Sequence, residues 1–306
     1  MKHIFVINPK AGKDDKVDEI KSALKEIENF EYEIYVTKSK GDARVFVKEY
    51  LESHDANIVY RFYACGGDGT LHDVVNGAYG FKNVEVACYA CGSGNDFIKN
   101  FKDRIDSFSD LRKIIYGKPK DIDLIDVDGD ACVNILNCGF DGEVTFCMHK
   151  LRKLPLIKGP LAYNLAAVSS LLFKMNSQMK LTVDNEVLFN GKSLLAVCAN
   201  GYCYGGGFYC APLAEIDDGY IDLCFIKKVS RFKAAGLMKI YKTGKHLDDE
   251  KLAPLLIYKK CKQIILESNK PIAYAIDGEI FRKDKYVVKI VPKALKFVVP
   301  MQYNDN

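Results

Sequence analysis

No stretch of this 306-residue sequence fits the Walker pattern GxxxxGK[ST], which excludes the commonest phosphate-binding loop. No uncharged run is long enough for a membrane-spanning helix. Gly159 to Phe173 carries no charge but falls short of the roughly 20 residues that a span needs. There is no low-complexity tract and no obvious repeat. Cys88 and Cys91 form a CxxC, but no second CxxC or Cys/His pair at ligand spacing accompanies it, and it lies in the apolar run VEVACYAC. That context reads as a buried strand rather than a zinc or redox centre. The five histidines are scattered, and none suggests a nucleophile–base pair. A net charge of +4 is too small to imply a nucleic-acid partner. A strand-like segment opens the chain where a signal peptide would lie, so the eleven cysteines read as reduced thiols of a cytoplasmic protein.

What is present centres on Ala64 to Thr70, Ala-Cys-Gly-Gly-Asp-Gly-Thr. Asn57 to Cys65 has the β-branched and aromatic content of a buried strand, and Leu71, Val74, Val75 and Ala78 recur at helical spacing. The glycines therefore occupy a strand-to-helix turn. Such a turn aims backbone N–H groups and the positive end of a helix dipole at one spot, and glycine lets a phosphate come close. Asp68, the one charge on the loop, suits a metal ligand or proton acceptor, or simply a turn former with Thr70 as N-cap.

The order of apolar patterns from Lys2 to about residue 90 is β-α-β-α-β-α-β, which predicts a parallel sheet with helices on both faces and ligands at the carboxyl ends of its strands. Asn8 to Gly12 and Gly92 to Asp96 fall at the same edge as the central loop. Around Asp121 the texture changes to short β-rich segments, Asp121 to Cys138, Met179 to Asn200, Tyr220 to Lys228 and Tyr258 to Val299, with turn signals at Asp128-Gly129 and Asn190-Gly191. These predict an antiparallel β-sandwich as a second domain. An amphipathic helix is expected over Leu154 to Met175, marked by Leu161, Leu165, Val168 and Leu172. The expected division is 1–125, completed by about 295–306, for an α/β nucleotide-binding domain, and 126–294 for the sandwich.

Gly66-Gly67-Asp68-Gly69-Thr70 resembles the nucleotide-binding signature shared by diacylglycerol, sphingosine and NAD kinases and phosphofructokinases. Asn8-Pro9-Lys10-Ala11-Gly12, Gly92-Ser93-Gly94-Asn95-Asp96, Gly205 to Asp222 and Asp277-Gly278-Glu279 are similar, in order and rough spacing, to the bacterial diacylglycerol-kinase-like lipid kinases. The resemblance runs from about residue 3 to about residue 300, and its strength lies in the ordered set. Two departures stand out: Cys91 replaces the proline that usually precedes the GTGND-like motif, and Lys99 replaces an arginine after it.

The resemblance implies an ATP- and Mg2+-dependent kinase acting on the hydroxyl of a neutral lipid such as diacylglycerol. An NAD kinase and a non-catalytic lipid-binding protein of the same fold are the alternatives. It assigns nucleotide contacts to Asn8, Pro9, Lys10, Ala11, Gly12, Thr37, Gly66, Gly67, Asp68, Gly69, Thr70, Leu71, His72 and Ser93. A structural Mg2+ site maps to Glu215 and Tyr220 through backbone carbonyls and to Asp218 through its carboxylate, with a solvated acidic turn as the plainer reading. Asp277 and Glu279 carry the proton acceptor, or else form an Asp-Gly hairpin turn. Asp68 joins them as a catalytic candidate. The partners implied are a lipid alcohol and a peripheral membrane surface, with a homodimer admitted and no nucleic acid. From Val144 to Val183 there is no Asp or Glu, and Lys150, Arg152, Lys153 and Lys158 interleave with Leu151, Leu154, Leu156 and Ile157, which suits anionic head groups or a basic loop over the core.

Overall fold

The structure, a computed structural model, describes residues 1–12, 16–28, 30–151 and 175–302. The helix expected from Leu154 onward, and with it Arg152, Lys153 and Lys158 of the basic stretch, lies outside the described residues. The chain divides into two compact units, Met1–Leu124 with Val291–Asn306, and Ile125–Ile290.

In the first unit β1 (Lys2–Ile7), α1 (Lys16–Lys25), β2 (Tyr32–Val36), α2 (Asp42–Ser53), β3 (Tyr60–Gly66), α3 (Asp68–Ala78) and β4 (Val84–Ala90) alternate along the chain, followed by a 3-10 segment and α4 (Leu111–Ile115). β1 pairs parallel with β2 and β3, and β3 pairs parallel with β4. All seven residues of β3 are buried, because side chains leave a strand alternately to both faces and both faces are covered. On one face Phe5, Ile7, Tyr63, Cys65 and Tyr89 pack with Ile20 and Leu24 of α1. On the other, α2 reaches β3 through the Tyr50–Phe62 ring contact at 5.7 Å. There α2 and α3 lie so close that a Cβ at Gly77 would stand 2.7 Å from the Arg44 carbonyl oxygen. A buried Arg61–Glu85 pair at 2.7 Å ties β3 to β4, and Arg61 also donates to the Ile115 and Gly117 carbonyls. Those further bonds offset the desolvation that makes buried ion pairs costly.

The strands that follow are β5 (Lys118–Val127), β6 (Asp130–Cys132), β7 (Ile135–Gly139), β8 (Ser177–Val183), β9 (Glu186–Ala199), β10 (Ile221–Lys227), β11 (Leu256–Cys261), β12 (Gln263–Ile276) and β13 (Glu279–Val299). The helices among them are α5 (Phe140–Leu151) and α6 (Arg231–Lys242). The last residues of β13 belong to the first unit, where Lys296 and Phe297 pair parallel with Glu85 and Val86 of β4.

In the second unit β7 pairs with β9, β9 with β8, β8 with β12 and β12 with β7, all antiparallel. β7 and β8 therefore lie end to end in one gap between the long strands β9 and β12, with β10 on the far side of β9 and β13 on the far side of β12. Leu136, Cys138, Leu181, Ala196, Cys198 and Leu266 of these four strands share one core cluster. The alternate residues Ile135, Val197 and Ala199 pack with Phe140 and Val144 of α5 and Leu237 and Tyr241 of α6.

One turn expectation fails. Asn190 and Gly191 do not turn the chain but lie inside β9, paired with Lys180 and Met179 of β8. The reversal is at Asp184 and Asn185, whose φ of 47° and 71° give a two-residue turn that twists with its strands. Gly191 instead makes room for Phe189, whose ring would be 3.0 Å from a Cβ there. No helix among the described residues is long and apolar enough to cross a membrane.

Candidate functional site

Three glycine loops leave the carboxyl ends of β1, β3 and β4, and they are packed against one another. Asn8 donates its side-chain amide to the Thr70 hydroxyl at 3.1 Å, and Lys10 N–H donates back to Asn8 Oδ1 at 3.0 Å. Gly12 has φ +83°, and a Cβ there would lie 2.8 Å from the Cys91 carbonyl oxygen. Gly92 faces Gly67 so closely that a Cβ on it would stand 2.3 Å from the Gly67 Cα. The Cys91 and Gly92 N–H groups donate to the Gly66 carbonyl at 3.0 and 3.2 Å. Asp68, at the first turn of α3, accepts the Asp96 backbone N–H at 2.6 Å, and Gly94 passes so near that its Cβ would meet Asp68 Oδ2 at 2.6 Å. The glycines are thus spacers that let three backbones meet at the positive end of α3.

The side chains of the central motif do not all face the same way. Thr70 is buried and folds back over Gly66, where a Cβ would touch its hydroxyl oxygen at 2.2 Å. Leu71 and His72 are buried in the body of α3, and the Thr70 and Leu71 N–H groups donate to the Gly67 carbonyl. The N-cap position belongs to Gly67, not Thr70. Thr37 donates its N–H to the Ile7 carbonyl at 2.9 Å, beside Asn8, and Ser93 is exposed on its loop. Burial pushes the Cys88 and Cys91 thiols up, as suits inert packing groups. A cavity of about 810 Å3 in the same unit is lined by Asn100, Arg104, Lys118, Lys120 and Met301 among others, and by none of the loop residues.

In the second unit Asp277 and Gly278, with φ of 49° and 91°, form the turn between β12 and β13, and Ile276 pairs across it with Glu279. The Asp277 carboxylate accepts the Val133, Asn134 and Ile135 N–H groups at 2.9, 2.9 and 3.1 Å, and the Cys132 thiol approaches it at 3.3 Å. Its own N–H donates to the Ile135 carbonyl. Asp277 thus staples the β12–β13 turn to the start of β7, while Glu279 opens β13 half-buried.

In the acidic turn, Asp218 accepts the Tyr220 N–H at 3.0 Å and the Lys260 ammonium. Lys260 also stands 3.7 Å from buried Asp222, its cross-strand partner between β10 and β11. Burial pushes the Asp222 carboxyl up, against donation from the Tyr258 hydroxyl at 2.7 Å and the Lys260 charge. Glu215 and Tyr220 are exposed. Lys260 is a participant that the sequence did not reveal, because only strand register brings it opposite Asp222. A second such pair joins Asp141, after β7, to the Tyr204 hydroxyl, with burial pushing the carboxyl up to about 6 against that donation.

The sequence model of the family described as "Diacylglycerol kinase catalytic domain" matches residues 2–127. That described as "YegS C-terminal NAD kinase beta sandwich-like domain" matches residues 134–299. The chain belongs to the bacterial diacylglycerol-kinase-like lipid kinase family. Diacylglycerol kinases of Staphylococcus carnosus strain TM300 and Staphylococcus aureus strain RF122 are each 28% identical to it over 279 residues, covering 90% of this chain and 87% and 85% of theirs. A crystal structure of a diacylglycerol kinase from Bacillus anthracis superposes with a TM-score of 0.70 at 20% identity, covering 97% of this chain and 96% of that one. The fold of a yeast NADH kinase is a more distant likeness, with a TM-score of 0.51 and 12% identity over 100% of this chain and 85% of that one. Within the lipid kinase family, the loops of the first unit and the turns of the second are the parts to which a function must be fitted.

Proposed function

We propose that this lipid kinase transfers the γ-phosphoryl group of ATP to the hydroxyl of a neutral lipid alcohol such as diacylglycerol. The observation that carries the reading is the packing of three glycine loops at the carboxyl ends of β1, β3 and β4, where Gly67 and Gly92 bring two backbones together without a Cβ between them. The relatives named as diacylglycerol kinases over most of their length support the acceptor class. In this reading the first unit holds the nucleotide and the second takes the lipid.

Phosphoryl transfer asks for positioning and charge neutralisation more than for a protein nucleophile. Asn8 to Gly12, Gly66 to Thr70 and Ser93 cradle the phosphates, with Thr37 beside them. The buried Leu71 and His72 shape α3 behind the cradle. Asp68 fixes the third loop through the Asp96 N–H and presents a carboxylate at the phosphates. The acceptor oxygen attacks the γ-phosphorus, the bond from that phosphorus to the β,γ-bridging oxygen breaks, and the hydroxyl proton leaves to a carboxylate. Glu279 is that proton acceptor. Asp277 is a positioning residue, since three backbone N–H groups already occupy its carboxylate.

Among the described residues no three His, Cys, Asp or Glu side chains are gathered for a metal, so a divalent cation at the acidic turn would rest on the Asp218 carboxylate with the Glu215 and Tyr220 carbonyls, hard oxygen donors that suit it. Mg2+ bound there would tie the turn together. Lys260 already supplies one positive charge to Asp218 and Asp222.

The test offers the purified protein γ-labelled ATP and magnesium with a panel of lipid alcohols in detergent and, separately, NAD+. Label in the organic extract is expected; label confined to the dinucleotide, or none transferred, overturns the reading.

A further inference from the structure

Phe232 is 94% exposed, a large apolar side chain presented almost wholly to water. It stands in the first turn of α6, a twelve-residue helix capped by Ser230, whose hydroxyl accepts the Lys233 N–H at 3.4 Å. The helix needs no help from Phe232 to hold its place. Ala234, Leu237 and Tyr241 pack it into the core of the second unit, and Arg231, Phe232, Lys233, Lys239 and Lys242 are exposed.

The charge along the sequence around that ring is of one sign. From Lys227 to Leu247 there are seven lysines and arginines and no Asp or Glu, a run that ends at Asp248. Arg231 and Lys233 are its exposed neighbours in the chain, and Lys228 stands just before the helix. A phenylalanine so exposed within an acid-free basic run is poorly suited to water. It suits the boundary between anionic head groups and acyl chains, where the ring leaves water and the cations meet the negative surface. Cations alone would serve any polyanion; the protruding ring adds a demand for an apolar layer beneath the anionic one.

We infer that the N-terminal turn of α6 docks this protein on anionic membranes, with Phe232 inserted among the lipids and Arg231 and Lys233 on the head groups. This basic run is a different stretch of the sequence from the one at 150–158. Docking there rests on the reading that the acceptor is a lipid, because such an enzyme must meet its substrate at a bilayer.

The chain contains no tryptophan, so Phe232→Trp introduces a single fluorophore at an exposed position that packing does not depend on. Titration with phosphatidylcholine vesicles containing phosphatidylglycerol is expected to shift its emission to the blue, and brominated acyl chains to quench it. Phosphatidylcholine alone should do neither, and high salt should reverse the shift. Arg231→Glu with Lys233→Glu, and separately Phe232→Ala, should each weaken sedimentation with anionic vesicles by about tenfold or more. Emission unchanged by anionic vesicles, or quenched by a soluble polyanion and not by brominated lipid, overturns the inference. Turnover on lipid in detergent micelles separates the two claims. Micellar turnover without vesicle insertion removes this docking surface alone, and insertion without micellar turnover leaves the surface while removing the kinase reading.

Discussion

Gly92 is the tightest point of the loop cluster, and a single methyl there measures how much depends on it. Its Cβ would overlap the Gly67 Cα at 2.3 Å, backbone against backbone, with no flexible side chain to give way. Gly92→Ala should part the loops, cost about 1–3 kcal/mol of stability and weaken ATP binding at least about tenfold, read by calorimetry on the folded variant. Nucleotide affinity equal to the parent's would contradict the cradle. Asp141 makes a prediction of another kind. Burial raises its carboxyl to about 6, so its stabilising contribution is complete below about pH 4 and is lost as pH rises through about 6. Asp141→Asn keeps an acceptor for the Tyr204 hydroxyl and removes the titration. The stability of the parent relative to the variant should therefore fall by on the order of 2 kcal/mol between pH 4 and pH 7, measured by urea unfolding at each pH. A difference independent of pH would mean that Asp141 is solvated as an ordinary carboxyl.

At the scale of elements, legibility followed the range of the interactions that fix each element. The alternation of strand and helix up to β4 was readable because each segment carries its own periodicity: Val17, Ile20 and Leu24 are the buried stripe of α1, and Val74, Val75 and Ala78 are that of α3. The loops were readable as glycine turns, but the contacts between Gly67 and Gly92 or Asp68 and Asp96 were not, since they join strands far apart in sequence. In the second unit Asn190-Gly191 looked like a hairpin turn and lies within a strand, because Asp184-Asn185 makes the reversal and Gly191 leaves room for the ring of Phe189 on the same strand. Lys260 escaped notice for the same reason, as register alone sets it across from Asp222. The β10–β11 edge with its acidic turn predicts a metal response. Asp218→Ala should lower the thermal midpoint, and magnesium should raise the midpoint of the parent but not of the variant. An equal magnesium response in both would leave Lys260 as the only cation the turn requires.

At the scale of the whole molecule, the change of texture near Asp121 was legible as a passage from an α/β pattern to short β segments. The sharing of one gap between β9 and β12 by β7 and β8 was not, because it depends on those two long strands each pairing with different neighbours along their length. How differently Asp277 and Glu279 are held was equally hidden in sequence, where the two stand two residues apart; three N–H groups gather on Asp277, and the proposal that Glu279 takes the proton rests on that separation. That separation leads to the measurement closest to the central claim, which is the rate of phosphate transfer from ATP to diacylglycerol in mixed micelles by the parent, Glu279→Gln and Asp277→Asn, with ATP affinity and thermal midpoint recorded on the same samples. Glu279→Gln should lose about 10²–10⁴ in turnover with ATP affinity and midpoint near the parent's, and Asp277→Asn should lose turnover together with stability. Near-parental turnover in Glu279→Gln, or transfer to lipid absent from the parent itself, would contradict the account.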